Sequence, residues 1–138
     1  MPLDAAPTMK VFGPFQGVLK YANGDLIGTL DEVRISVVRI VTSPGQAHIS
    51  LSLQYYANSA GSRTGGRPGE GLLPYQYVYF RDQNGFPLYT WTVPGFFYLE
   101  CGWQKQLQSF GHSALQPDYW FDFAEQVEHY TQGAFYRC

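Results

Sequence analysis

Residues 75–93 read YQYVYFRDQNGFPLYTWTV. Two β-rich runs, Tyr75–Arg81 and Leu88–Val93, flank Asn84-Gly85, the pair preferred where both central turn residues need positive φ, so the stretch reads as a tight hairpin. A two-residue loop pairs Phe80 with Tyr89 and Val78 with Trp91 on one face. Tyr77, Tyr79, Thr90 and Thr92 then share the other face. One side is strongly apolar and the other mixed, which is the pattern of an antiparallel sheet packed on one side.

The same signal repeats toward the N-terminus. Asn23-Gly24 lies between Gly17–Tyr21 and Leu26–Leu30 and predicts a second tight hairpin. Val33–Thr42 and Ala47–Tyr56 flank Ser43-Pro44-Gly45-Gln46 and predict a third. With Pro44-Gly45 as loop centre, Ile40 pairs with Ile49 and Val38 with Leu51, and Leu53 continues that apolar face. Arg39, His48, Ser50, Ser52 and Gln54 fall on the other face, together with Ile35, Val37 and Val41. A type II turn matches strand twist poorly, so a longer loop or a slipped register is the alternative here. Phe96–Trp103 adds a further strand, with Phe97, Leu99, Cys101 and Trp103 on one side.

Beyond Pro117 the apolar period changes. Asp118 can cap a helix whose stripe is Trp120, Phe123, Ala124, Val127 and Tyr130, with Asp122 and Glu125 early, His129 late and Gly133 as terminator, which predicts a helix over 118–132. Tyr119–Phe123 could instead continue as a strand. The expected fold is mainly β (α+β): an antiparallel β-sandwich or curled sheet of six to seven strands with one C-terminal helix. It is read as a single domain over 1–138, with an N-terminal arm at 1–14 and a long Gly-rich loop at 57–74.

The composition narrows the function classes. Of 138 residues, 45% are hydrophobic, 17% aromatic and 14% charged, the reverse of a disordered chain. A chain of this length buries about 70% of its unfolded surface, enough for one sizeable core. The net charge of −2 and the scattered cations give no nucleic-acid footprint, and no apolar run reaches the length of a helical membrane span. The start, MPLDAAPTMK, lacks a basic segment followed by an apolar core, so no intact signal peptide is read there. The expectation is a cytoplasmic protein or part of an assembled particle. Cys101 and Cys138 are either one bridge or, as the plainer reading, one buried and one terminal thiol.

Catalytic motifs stop short of their requirements. Gly61–Pro68 has the glycine spacing of a phosphate-binding loop, but Arg67 stands at the lysine position and Pro68 at the hydroxyl position. Gly111-His112-Ser113 begins like a nucleophile elbow, yet Leu115 occupies the closing glycine, so it reads as a solvent-facing turn. Glu125, Glu128 and His129 do not share one clean helix face, and Gln126 breaks a Glu-x-x-His pair, so no metal or cofactor is expected. His48 reads as a surface residue. Asp82, Glu100, Asp118 and Asp122 are candidate paired acids near aromatic rings, and Asp82 and Asp118 already have turn and cap roles.

Eleven of the 24 aromatic residues fall between Tyr75 and Trp103, more than one apolar face accounts for. Tyr75, Tyr77 and Tyr79, with Tyr98 as a neighbour, lie opposite the core face, and tyrosine is enriched at interfaces. A second core layer is the competing explanation. Together with Arg63 and Arg67 in the Gly-rich loop, these residues form the candidate contact surface. The leading expectation is a non-enzymatic structural or interaction module that self-associates or joins an assembly. A β module binding a sugar or flat apolar ligand, and a small hydrolase or isomerase, are the alternatives.

Overall fold

The computed structural model describes residues 7–20, 26–59, 71–72, 75–94, 98–99 and 104–132, with 26–27, 71–72 and 98–99 described by their backbone alone. Four strands form one antiparallel sheet: β1 (Thr8–Lys20), β2 (Leu26–Ser43), β3 (Gln46–Ser59) and, after the short pieces below, β8 (Gln106–Pro117), in the order β1-β2-β3-β8. A second sheet has the order β6-β5-β9, from β5 (Tyr75–Arg81), β6 (Pro87–Thr92) and β9 (Gln126–Gln132). Two-residue strands β4 (Gly71–Leu72) and β7 (Tyr98–Leu99) pair with each other.

The two larger sheets meet through their apolar faces. Val33, Ile35 and Val37 of β2 and Ile49, Leu51, Leu53 and Tyr55 of β3 are buried, as are Val78, Phe80 and Trp91 of the smaller sheet. Phe12 meets Phe80 edge-to-face across the interface at 5.9 Å. Trp120, Phe121 and Ala124, in the connection between β8 and β9, close one end of this core. The Lys10 ammonium has three donors, and the carbonyls of Phe121, Asp122 and Ala124 take all three at 2.6, 3.2 and 3.0 Å.

The hairpin of residues 75–93 has the expected strand register, with Phe80 opposite Tyr89 and Val78 opposite Trp91. Its loop is longer than two residues. Asp82 donates its N–H to the Phe86 carbonyl and accepts from Gly85 N–H, leaving Gln83-Asn84-Gly85 as a three-residue loop with only Gly85 at positive φ, 82°. Asp82 Oδ1 also accepts from the N–H groups of Asn84 and Phe86.

The hairpin centred on Pro44-Gly45 is slipped by one residue. Val41 pairs with Ala47 but Ser43 with Gln46, so Thr42 is an extra residue, and Val37 faces Leu51 while Ile40 faces His48. A one-residue slip exchanges the faces, which puts Ile35 and Val37 in the core and moves Val38 and Ile40 to the outer side.

Four other expectations are corrected. The N-terminal arm at 1–14 is strand from Thr8 onward, where the chain pairs with β2 and Phe12 and Phe15 pack on the core, while 1–6 lie outside the described residues. The loop at 57–74 gives Ala57–Ser59 to β3 and Gly71–Leu72 to β4, while 60–70, which hold Arg63 and Arg67, lie outside the described residues. The helix over 118–132 is a 3-10 turn at Phe121–Phe123 followed by β9. Phe123 and Tyr130 of its supposed stripe are exposed, whereas Val127, His129 and Thr131 alternate inward, and pairing with β5 satisfies the backbone. Gly111-His112-Ser113 likewise sits inside β8, not in a turn. Asn23-Gly24, Cys101, Cys138 and the strand at 96–103 apart from Tyr98–Leu99 lie outside the described residues.

Gly13 adopts φ 105° at an irregularity of β1, and a Cβ there would overlap the Val33 carbonyl oxygen. Gly85 has a similar φ but open space around it. Gly13→Ala is therefore expected to cost roughly 2–4 kcal/mol and Gly85→Ala only about 1. Urea unfolding of the two variants measures this, and equal midpoints would contradict it.

Candidate functional site

Alternation along β5 sends Gln76, Val78 and Phe80 inward and Tyr75, Tyr77, Tyr79 and Arg81 outward. Pairing on either side adds Thr90 and Thr92 from β6 and Gln126, Glu128, Tyr130 and Gln132 from β9 to the outer face. The rings of Tyr77 and Tyr79 stack at 6.2 Å and 23°, and Tyr130 joins Tyr77 at 6.1 Å. The Arg81 guanidinium lies 5.6 Å from the Tyr79 ring centre and bonds Glu128 at 2.7 Å. The Tyr130 hydroxyl donates to Gln132 Oε1 at 3.0 Å. Tyr75 is 51% exposed and Tyr130 41%, while Tyr77 and Tyr79 are half-buried, so among the described residues this face is a partly open aromatic surface.

Three of the tyrosines named from sequence therefore stand together. Tyr98 lies in β7, opposite Leu72 and in a different sheet, with only its backbone described. Tyr130 and the Arg81–Glu128 pair belong to the face but escaped a reading that made their segment helical. The signal was present as alternation, with Gln126, Glu128 and Tyr130 on one side and Val127, His129 and Thr131 on the other.

Behind the tyrosines lies a buried polar cluster. Gln76, 1% exposed, accepts from the Tyr55 hydroxyl at 2.7 Å and from His129 Nε2 at 3.1 Å through the same Oε1. A carbonyl oxygen only accepts, so His129 carries its proton on Nε2. The Gln76 Nε2 atom, also buried, has no hydrogen-bond partner among the described residues. Two hydrogen bonds worth about 1 kcal/mol each are offset by about 1–3 kcal/mol for that amide, so the cluster fixes how the sheets align more than it stabilises them. Burial lowers the His129 pKa from 6.5 to about 4 and raises the Tyr55 hydroxyl well above its ordinary value, against the opposing effect of the Gln76 hydrogen bond.

Other candidate chemistries are dispersed by the fold. Glu128 points outward and His129 inward, so the Glu125, Glu128 and His129 grouping does not converge, and no metal-binding cluster occurs among the described residues. Asp118 and Asp122 both pair with Arg39, at 3.5 and 3.2 Å. Ser113 Oγ lies 3.2 Å from His48 Nε2 and 2.6 Å from Ser50 Oγ, a serine–histidine contact on the exposed outer face of the larger sheet. No carboxylate is bonded to His48 among the described residues to orient it as a base. A groove of about 440 Å³ lined by Pro14, Phe15, Gln16, Asp31 and Glu32 is remote from all three histidines in sequence and includes none of them.

Comparison with family models, with curated proteins and with solved structures gives no match.

The neutral state of His129 makes stability pH-dependent. The unfolded chain takes up a proton below pH 6.5 while the folded chain resists until about 4, so the stabilisation is complete above 6.5 and is lost as pH falls through that window. Between pH 7 and 5 this group should remove about 2 kcal/mol of unfolding free energy. Urea titrations at both pH values should show that decrement in the parent and a smaller one in His129→Gln.

Proposed function

We propose that the chain is a structural or interaction module without catalytic chemistry, and that its tyrosine face meets a second copy in a larger assembly. The row of Tyr75, Tyr77, Tyr79 and Tyr130, exposed at Tyr75 and Tyr130 and half-buried between them, carries this reading. Tyrosine supplies large contact area at low entropic cost, and a hydroxyl tolerates water until contact is made. Stacking and the Arg81–Glu128 pair hold these side chains in place beforehand, which lowers the ordering cost of association. The face carries both charge signs, so a second copy meets it without uniform like-charge opposition. Arg63, Arg67 and Tyr98 are further contact residues read from the sequence, the two guanidiniums as multi-donor groups in a Gly-rich segment.

Static light scattering tests this. Tyr77→Ala with Tyr79→Ala is expected to weaken assembly about 100-fold, with far-ultraviolet circular dichroism unchanged. Unchanged assembly would refute the proposal. A tryptophan fluorescence shift on glycan titration, with no change in mass, would move the reading to a ligand-binding module.

A further inference from the structure

Sheet edges are sites where chains pair by accident, and proteins blunt them with charge, proline, bulges or short length. Among the described residues, β1 is interrupted at Gly13-Pro14 and carries Lys10 and Lys20. The β6 edge is six residues long and opens with Pro87. The β9 edge is seven residues long and carries Glu128, and its Thr131 bonds to the Val18 carbonyl of β1. Among the described residues the β8 edge is the least protected: QLQSFGHSALQP pairs with β3 over twelve consecutive positions without a shift, contains no Lys, Arg, Asp or Glu, and has its one proline, Pro117, at the terminal position.

Three of the five residue pairs flanking Gly111 in β8 are identical, while Phe110 stands against His112 and Gln108 against Ala114. Read outward in both directions, Ser109 mirrors Ser113, Leu107 mirrors Leu115 and Gln106 mirrors Gln116. Two antiparallel copies related by a two-fold axis at Gly111 would therefore set Leu107 of each against Leu115 of the other, and Ser109 against Ser113. Leu107 and Leu115 are 51% and 60% exposed on the outer face, so these pairs would cover apolar surface that now faces water. Glycine on the axis lets the two strands approach, and the lack of charge leaves nothing to repel.

We propose that β8 is the seam of a symmetric homodimer in which the four-stranded sheets of two copies join edge to edge. The seam is independent of the tyrosine face. It produces a dimer, whereas the tyrosine face accounts for species beyond the dimer.

Analytical ultracentrifugation of the full chain tests this. The parent is expected to sediment at no less than twice the chain mass, and the chain with Tyr77→Ala and Tyr79→Ala at twice the chain mass. Gly111→Lys places like charges across the axis and is expected to weaken self-association at least about tenfold, with the fold retained, since a Cβ there only reaches ordinary contact with the Leu51 carbonyl at 3.5 Å. If that variant fails to fold, the exposed Leu107→Lys change provides the same readout. Leu107→Lys combined with Leu115→Glu in one chain puts each new ammonium opposite a new carboxylate and should restore the dimer that Leu107→Lys alone weakens. A monomeric parent, a Gly111→Lys chain of unchanged mass, or a dimer abolished by Tyr77→Ala with Tyr79→Ala instead would overturn the assignment.

Discussion

Strand β5 is paired on both edges, so its seven residues have only their two faces left to distribute. Gln76, Val78 and Phe80 take the dry side and Tyr75, Tyr77 and Tyr79 the open one. A strand cannot turn one side chain without turning all of them, and this constraint ties the core to the candidate surface. Phe80 anchors the inner side through contacts with Phe12, Tyr89 and Trp120 at 5.9, 6.1 and 5.1 Å. The tyrosines consequently stand in a row because their alternate neighbours are needed inside.

That arrangement was legible in the alternation of residues 75–93, although the turn expected at Asn84-Gly85 is a three-residue loop and a register shift next to Arg81 restores the pairing of Phe80 with Tyr89. The register of the Pro44-Gly45 hairpin was not, because both Val38/Ile40 and Ile35/Val37 offer an apolar face and a single bulge at Thr42 chooses between them. The segment 118–132 misled for a different reason. Trp120, Ala124 and Val127 have helical spacing, but Trp120 and Ala124 belong to a connection and Val127 to a strand, so one apparent stripe joins unlike pieces. Tyr130 and the Arg81–Glu128 pair became visible only with the pairing of β5 and β9. The buried Gln76 sat in plain view between two tyrosines, yet its partners Tyr55 and His129 are 21 and 53 positions away, and no local pattern links them.

The connection between β8 and β9 is held from several directions. Trp120 lies flat on Tyr89, with centroids 4.6 Å apart and planes within 7°. Phe121 has Lys10 and Arg39 over its ring, at 5.1 and 4.2 Å. Arg39 in turn reaches Asp118 and Asp122, so the first two strands both grip this short segment. Cation, ring and carboxylate each offset part of the others' desolvation cost.

Lys10 and Phe121 are 111 positions apart, which gives the molecule a temporal order. During synthesis the hairpin of β2 and β3 can form early, but β5 lacks one of its two edge partners until residues 126–132 have emerged, and Lys10 has no carbonyls to bind until 121–124 have. Contacts of such long range close slowly because the intervening chain loses its freedom before the contact contributes. From the completion of β5 until β9 has emerged, the nascent chain therefore carries an unpaired β5 edge and an unclosed aromatic core. This places its greatest exposure to misassembly in the interval between the emergence of β5 and that of β9.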